Sequence, residues 1–541
     1  MASLGRLARG GPLERLLGQR NTALRLTAIP RDHVEGDRRL GEAFLTGTLV
    51  HGAERLDLHD LDFSRFKPRS PAARHLHSFA WLRDLAAATG REQGAPLGEA
   101  IAGRWLVVHG AKPDEAWAPE LWGERLLFWT AYAPYILSTR ETAYRSALLN
   151  TMARGARSLS KTADKARPGL DRITAWAGLV VTSLCLEGMP RVARAESGLM
   201  RALAQGQFDD GGLMSRSPTE QLLLVDRLGL VRAAYFAAKQ TLPDALEDTA
   251  CAALAALHGV TMGDGALASW QGGNAGSAPR IAAVVEGCGL RSRPLRQARG
   301  WGYQRLSALG TVVSFDAAPP PLATMIETGC ASTLGIELSD GSQRLVVSCG
   351  GPGRAKASLP DALVEGLRSS AAHSTLILDD MNSTAIQPDG PLGKGVNDVI
   401  LDRSEDHDAS MVSASHDGYA RRTGFVHERA LRLGNDGKEL AGRDNLTPKG
   451  RRKGLAGLQF ALRFHLAPGV EPTPTADGMG AILRSDTAPP WNFRCRGARL
   501  RIEQSLHVSA RGEPLQTQQL VVTGETQRDG ADVSWTFRRS S

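Results

Sequence analysis

Between Arg368 and Asp380 the chain reads RSSAAHSTLILDD, which sets one histidine, His373, ahead of a short apolar run. Imidazole changes charge nearest neutral pH, so a histidine at a strand end, where loops and ligands meet, is a candidate acid, base or ligand. The structural alternative is an interior histidine satisfied by hydrogen bonds, and a lone His does not choose between them. Asp171 and Glu220 offer a pair of carboxylates of the kind glycosidic hydrolysis uses, provided the fold brings them to the right separation. Glu220 has a second reading. Ser217, Pro218 and Glu220 sit at the spacing of an N-cap, a first helical residue and the third position of a capping box, which is the preferred account of this segment. His416, His427 and Asp402 are metal-binding residue types in one region, but their spacing matches no metal motif, so no cofactor is expected and a structural divalent metal has no support.

The elements that must position these groups change character along the chain. Residues 1–70 are rich in turns, with a strand expected near Gly47 to His51, and read as a lead-in segment. From Arg74 the spacing of Leu76, Phe79, Leu82 and Ala86 gives an amphipathic helix. Further helices are expected at Leu121 to Leu137, Leu170 to Leu186, Val192 to Gln205, Glu220 to Gln240 and Pro243 to Leu257. Short polar connections between them imply antiparallel hairpins. Without a fixed-period repeat, a closed or partly closed ring of hairpins is favoured over a regular solenoid. The segment GDGALASWQGGNAGSAPR, from Gly263, is Gly- and Ser-rich but lacks the phosphate-cradling GxxxxGK[ST] pattern, so it reads as a linker. Beyond Trp301 the period becomes two. Strands are expected at Thr311, Thr333, Arg344 and Ser374. In the stretch Leu458 to Leu466, Phe460, Leu462 and Phe464 face one way while Gln459, Ala461, Arg463 and His465 face the other. The same alternation around Leu500 to Val508 and Val533 to Phe537 predicts a C-terminal antiparallel sandwich. The expected division is therefore 1–70, 71–295 helical and 296–541 β.

Composition bounds the function. A chain of 541 residues, 42% hydrophobic and 23% charged, is a globular protein of more than one core. It has no run approaching the roughly 18 apolar residues of a membrane helix. The basic N-terminus has no continuous apolar stretch, so no secretory signal is expected. A net charge of +8 would draw polyanions. The basic runs Arg154 to Arg167 and Lys449 to Lys453 carry no aromatics, so they are expected to be solvated loops and not a nucleic-acid platform. Six cysteines without CxxC spacing argue against a zinc ribbon or disulfide scaffold, although Cys330 and Cys349 would meet if their strands were neighbours.

Several local sequences, in order, resemble those of the heparinase II/III-like family. RSSAAHSTLILDD resembles its AHNTL segment, and WGYQRL from Trp301, ASHDGY from Ala414, HERALRL from His427, GRDNL from Gly442, LRFHLAP from Leu462 and WNFRC from Trp491 resemble others. The resemblance implies an α+β multidomain fold, an N-terminal incomplete (α/α) toroid followed by a C-terminal antiparallel β-sandwich. It also implies a cleft for an acidic polysaccharide and β-elimination at a uronate. That reaction needs neutralisation of the substrate carboxylate, a base for the C5 proton and an acid for the leaving oxygen. Carried over by position, the resemblance gives His373 and Tyr419 catalytic roles, a tyrosine being able to serve as both acid and base. His416 joins the substrate site, with Arg429 as an anion clamp.

The helical half departs from the pattern. QFDDGGLMSRSPTEQ, from Gln207, resembles the family's DGGHxERSPxYH run, yet Glu220 stands where the catalytic tyrosine is expected and Gln221 where a histidine follows. Asp171 and Arg172 replace an Asn-His pair. A carboxylate there would repel a uronate unless Arg172 and Arg216 offset it. The leading expectation is a lyase acting on an acidic, uronate-containing glycan. The alternative is a non-catalytic glycan- or polyanion-binding protein on the same scaffold, and a carboxylate-pair hydrolase ranks third. The family implies the cell envelope or periplasm, while the missing signal leaves the cytoplasm open.

Overall fold

The computed structural model describes residues 24–111, 113–189, 191–353, 359–387, 390–450 and 454–540. The N-terminal basic segment and most of the Lys449 to Lys453 run lie outside these residues.

Helices dominate up to Gly287, paired as antiparallel neighbours. Pro119–Ala131 packs on Leu170–Cys185, and the approach is close because Gly123 and Gly178 face one another. A Cβ on Gly178 would stand 2.3 Å from the Gly123 carbonyl oxygen, so neither position has room for a side chain. Trp105, Trp122 and Trp129 surround the buried guanidinium of Arg125. That group donates to the carbonyls of His77 and Ala116, and burial lowers its pKa to about 9. The turn-rich segment joins this same core through Val34, Phe44, Leu49 and Phe63.

Several elements differ from expectation. The helix predicted from Arg74 is two, Pro71–Ser78 and Leu82–Ala88, because Phe79 takes a left-handed conformation and ends the first. Arg91–His109 and Ala278–Gly287 are helices that the sequence pattern did not announce, each carrying Pro or several Gly. Most of Arg154 to Arg167 is not a loop: Thr142–Thr162 is one long helix whose apolar face, including Leu148, Met152 and Leu159, is buried. The helix starts at Pro218 as expected, but the Ser217 side chain makes no cap, so there is no capping box.

The β half is two eight-stranded antiparallel sheets. One runs from Glu471–Pro474 at its edge through Ala531–Arg539, Glu439–Pro448, Phe425–Gly434 and Ala409–His416 to Val399–Glu405. The other runs from Arg499–Val508 through Pro514–Glu525 and Gln459–Leu466 to Tyr303–Ala308. The STLIL run contributes only Leu376–Leu378, which pairs with Gln459–Leu466. Phe464, Trp535 and Phe537 meet edge-to-face between the sheets, with Phe493 tilted against Phe464 and Phe537. Each such ring contributes roughly 2–3 kcal/mol through burial alone. Helical half and sandwich together form the toroid-plus-sandwich architecture that the resemblance implies. All six cysteines are free thiols; Cys330 and Cys349 do not pair.

Candidate functional site

Three separate places hold the residues singled out from the sequence. The first is inside the sandwich. His416, His427, Arg429 and Asp444 stand on adjacent strands, with His427 opposite His416 and Arg429 opposite Asp444. The Gly418 N–H donates to His416 Nδ1 at 3.1 Å, which leaves the proton on Nε2. That nitrogen donates to His427 Nδ1 at 3.3 Å, and His427 Nε2 in turn donates to Asp444 at 2.8 Å. The relay therefore uses two neutral imidazoles, and burial lowers the pKa of both. Asp444 also accepts from Arg429 Nε at 2.8 Å and from the Trp535 indole at 2.7 Å. Burial opposes its charge, but Arg429 and His427 outweigh that and hold the carboxyl at about 2. Arg429 has no exposed surface and is spent on this network. Asp402 is exposed on the outer face of its strand, apart from the two histidines. Among the described residues, the one grouping of three acidic or histidine side chains within ligand reach is Asp406, His407 and Asp408, on an exposed turn.

Tyr419 lies beside this cluster. Its ring is 5.4 Å from that of His416, and its hydroxyl donates to the Leu376 carbonyl at 2.9 Å. Burial pushes the phenol further above its ordinary pKa. His373 is buried one layer away, 1% exposed. Its Nδ1 meets the Ser348 hydroxyl at 3.1 Å, its ring lies 6.1 Å from Trp270, and its Nε2 has no hydrogen-bond partner among the described residues. Burial lowers its pKa to about 3, so the ring is neutral.

The second place is the junction between helices and sandwich, where Arg216 is buried. It donates to the Trp301 carbonyl at 2.8 Å, the Pro319 carbonyl at 2.9 Å and the Asp316 carboxylate at 2.6 Å, and lies over the Tyr303 ring. Tyr303 returns a bond from its hydroxyl to the Arg216 carbonyl at 2.6 Å. Arg216 is thus a rivet between the halves and not a cleft cation.

The third place is where the starts of the helices Leu170–Cys185 and Pro218–Ala237 meet the β half at Glu327. Arg167, which the sequence reading did not single out, lies 3.2 Å from Asp171, 3.9 Å from Glu220 and 3.6 Å from Glu327, the last contributed by the β half. Asp171 is a local i,i+4 partner, but Glu220 and Glu327 come from distant segments, so no local pattern marks the full set. Burial raises Glu220 to about 7, and the Asp171 and Glu327 charges add to the lift against the pull of Arg167. Arg172 points elsewhere, to the Ala166 carbonyl and Gln205. Gln221 is structural: its amide accepts from Leu213 N–H and donates to the carbonyls of Gly211 and Ala253.

One turn further along the same helix, a cavity of about 300 Å³ opens between the helices and the hairpin tip at Arg511, with Thr219, Asn274 and Gly353 on its wall. Its floor is an ion network in which Asp226 takes a two-point contact from Arg83 at 2.9 and 2.7 Å and another from Arg227 at 2.8 Å. Its wall is largely apolar, and its charges balance, the carboxylates of Asp37, Asp84, Glu124 and Asp226 standing against the guanidiniums of Arg83, Arg227, Arg280 and Arg511.

Comparison with known proteins fits this architecture. The chain is 28% identical to FtsZ-localized protein C of Caulobacter vibrioides over 532 residues, 95% of this chain and 90% of that one. Among solved structures, heparinase III superposes with a TM-score of 0.65 at 14% identity, covering 87% of this chain and 78% of that one. A heparan sulfate lyase of Pedobacter heparinus superposes with a TM-score of 0.61 at 14% identity over 93% and 83%. These two likenesses establish a polysaccharide lyase fold. Residues 290–536, the β half of the chain, match the model of the heparinase II/III-like C-terminal domain.

Proposed function

We propose that this protein binds an acidic glycan of the cell envelope in the cleft between its helical and β halves without cleaving it. The observation that carries this reading is the state of the tyrosines. The chain has six, and each phenol donates to a protein acceptor: Tyr132 to Asp32, Tyr135 to the Thr89 carbonyl, Tyr144 to the Ile136 carbonyl, Tyr235 to Glu196, Tyr303 to the Arg216 carbonyl and Tyr419 to the Leu376 carbonyl. A phenol held in this way has no place beside a uronate C5 proton, and Glu220 occupies the position where the resemblance expects the catalytic tyrosine. These features support cleft binding without elimination. Similarity to FtsZ-localized protein C along almost the whole chain extends the proposal to a role where FtsZ assembles.

The test is retention of the full-length protein on a panel of immobilised uronate-containing and neutral polysaccharides. Retention on uronate polymers, reduced several-fold by Asn274→Ala or Arg511→Glu at the cleft wall, is the expected result. Equal retention of these variants would place the binding elsewhere.

One observation favours a second reading. Glu220 is raised to about 7 and has Asp171, itself raised by burial, on the other side of Arg167, and two carboxyls of which one holds its proton near neutrality are the equipment of glycoside hydrolysis. Release of reducing ends that Glu220→Gln abolishes would establish that chemistry in place of simple binding.

A further inference from the structure

The two eight-stranded sheets have four edges, and three of them are closed to further pairing. Glu471–Pro474 is only four residues long and carries two prolines. Tyr303–Ala308 is covered by the segment before it, through bonds from the Arg305 N–H to the Arg296 carbonyl at 2.8 Å and from the Ala298 N–H to the Tyr303 carbonyl at 3.2 Å. Val399–Glu405 turns Arg403 inward, where its guanidinium donates to the Arg296 and Arg305 carbonyls at 2.8 and 2.9 Å. Short length, proline, cover and an inward charge are the devices by which native sheets block edge-to-edge contact. The fourth edge, Arg499–Val508, is ten residues in unbroken register, with no proline and no inward charge.

The backbone bonds around that strand fix which groups face outward. The Ser509 N–H donates to the Glu513 carbonyl at 2.9 Å, inside the hairpin, and the Val508 N–H donates away from the hairpin to the Cys349 carbonyl at 2.7 Å. Alternation then turns Leu500, Ile502 and Gln504 to the open edge. Cys349 covers only the far end, with its sulfur beside the Leu506 N–H. The Gln504 carbonyl takes the Gln519 amide at 3.1 Å and keeps a second lone pair for a partner strand. What stays open is the stretch 499–505, whose midpoint is Ile502. Arg499, Arg501 and Glu503 lie on its outer face, and Leu500 and Ile502, on the core face, are only half-buried.

We propose that the protein forms a two-fold dimer in which residues 499–505 of two copies pair antiparallel about Ile502 and join two sheets into one. Charge complementarity selects both the occupant and the register. Pairing centred on Ile502 sets Arg501 of each copy opposite Glu503 of the other. Sliding by two residues, the smallest slip that keeps the same faces, sets Arg501 against Arg501 or Glu503 against Glu503. Among the described residues Arg501 has no ion pair, and Glu503 reaches Arg463 at 3.5 Å. The joined edge exchanges backbone bonds through Leu500, Ile502 and Gln504 and covers the half-exposed apolar side chains between them. Each strand runs on into the hairpin tip at Arg511, so antiparallel pairing puts the two copies of the cavity that this tip lines at opposite ends of the joined strands. The dimer is thereby bivalent for a polymer.

The test is sedimentation velocity of the full-length protein from about 2 to about 200 µM, because an interface made of one strand pair is of the micromolar class. The expected result is a monomer–dimer equilibrium that Arg501→Glu and Ile502→Pro each weaken by about ten-fold or more. The monomer tolerates the proline, since the amide it removes points to solvent. Combining Arg501→Glu with Glu503→Arg in one chain restores association, and so does mixing the two single variants. A monomer at every concentration, or a dimer that both Arg501→Glu and Ile502→Pro leave intact, overturns the proposal. Hydrogen exchange of the wild type needs no variant: the amides of Leu500, Ile502 and Gln504 gain protection as concentration rises. Fast exchange at all concentrations refutes the pairing. Protection in a protein that stays monomeric refutes it too, because another segment of the chain would then cover the edge.

Discussion

Arg429 and Asp444 face one another across neighbouring strands at 2.8 Å, and the same guanidinium continues to the carbonyls of Leu334 and Ser374 beside strands of the opposite sheet. One side chain therefore ties the two sheets through their apolar core, where a charge without partners would be costly.

Removing the carboxylate breaks that tie. Asp444→Ala leaves Arg429, His427 and the Trp535 indole without their shared acceptor, and the sandwich loses about 3–5 kcal/mol, as expected for a buried ion pair deprived of one partner. Denaturant unfolding followed by tryptophan fluorescence measures it. A loss below 1 kcal/mol would mean that water reaches the pair.

Acid sensitivity follows from the buried histidines. His77, His373 and His465 have their pKa values lowered from 6.5 to about 3, in each case chiefly by burial. Above pH 6.5 folded and unfolded chains bind the same protons at these sites, so they contribute no pH dependence. Below 6.5 the unfolded chain takes up protons that the folded chain refuses, and stability falls down to about pH 3, by as much as about 1.4 kcal/mol per pH unit for each group. Asp444, depressed from 3.8 to about 2, adds a further loss between those two values. The urea midpoint should decline steadily from pH 6.5 to 4, and His373→Gln should make the slope shallower. A flat profile over that range would contradict the burial of these rings.

Glu220 has the opposite sign. Its carboxyl is raised from 4.5 to about 7, so ionisation above 4.5 favours the unfolded chain, and the penalty is complete above pH 7. Glu220→Gln should therefore be more stable than wild type at pH 8, on the order of 2–3 kcal/mol, and the difference should vanish below pH 4.5. Thermal melting at the two pH values checks this. A stabilisation that does not depend on pH would assign the effect to packing instead of charge.

Arg216 sets how the halves move. Its four bonds to the β half, together with the Tyr303 hydroxyl that returns to its carbonyl, replace a covalent brace. Arg216→Met should uncouple helices from sandwich, splitting one unfolding transition into two and making the 288–300 segment sensitive to limited proteolysis. A single transition with unchanged proteolysis would show that Trp301 packing against Gly212 suffices.

The architecture was largely legible in the sequence because periodicity reports burial. Phe460, Leu462, Phe464 and Leu466 are buried as their alternation requires, and the helix over Leu170–Cys185 lies where its apolar spacing puts it. Periodicity failed where a backbone conformation intervened, as at Phe79, and where charge obscured a buried face, as in Thr142–Thr162. The candidate site was legible only as a set of residue types. Arg216, Arg429 and Tyr419 look like cleft groups in a linear chain, but each is held by partners from other segments, 15 residues away for Arg429 and Asp444 and 43 to 100 for Tyr419 with Leu376 and Arg216 with Asp316, which no local pattern encodes. Arg167 is the converse case, since the carboxylates that surround it come from two helices and the β half.

The most direct test of the central claim is ultraviolet absorbance of the purified protein incubated with a panel of uronate polymers it binds, with an active polysaccharide lyase as positive control. The account predicts binding with no growth of the unsaturated-uronate signal, and the same flat trace for Tyr419→Phe and His373→Ala. A rising signal in wild type that either substitution abolishes would contradict it and make the protein a lyase.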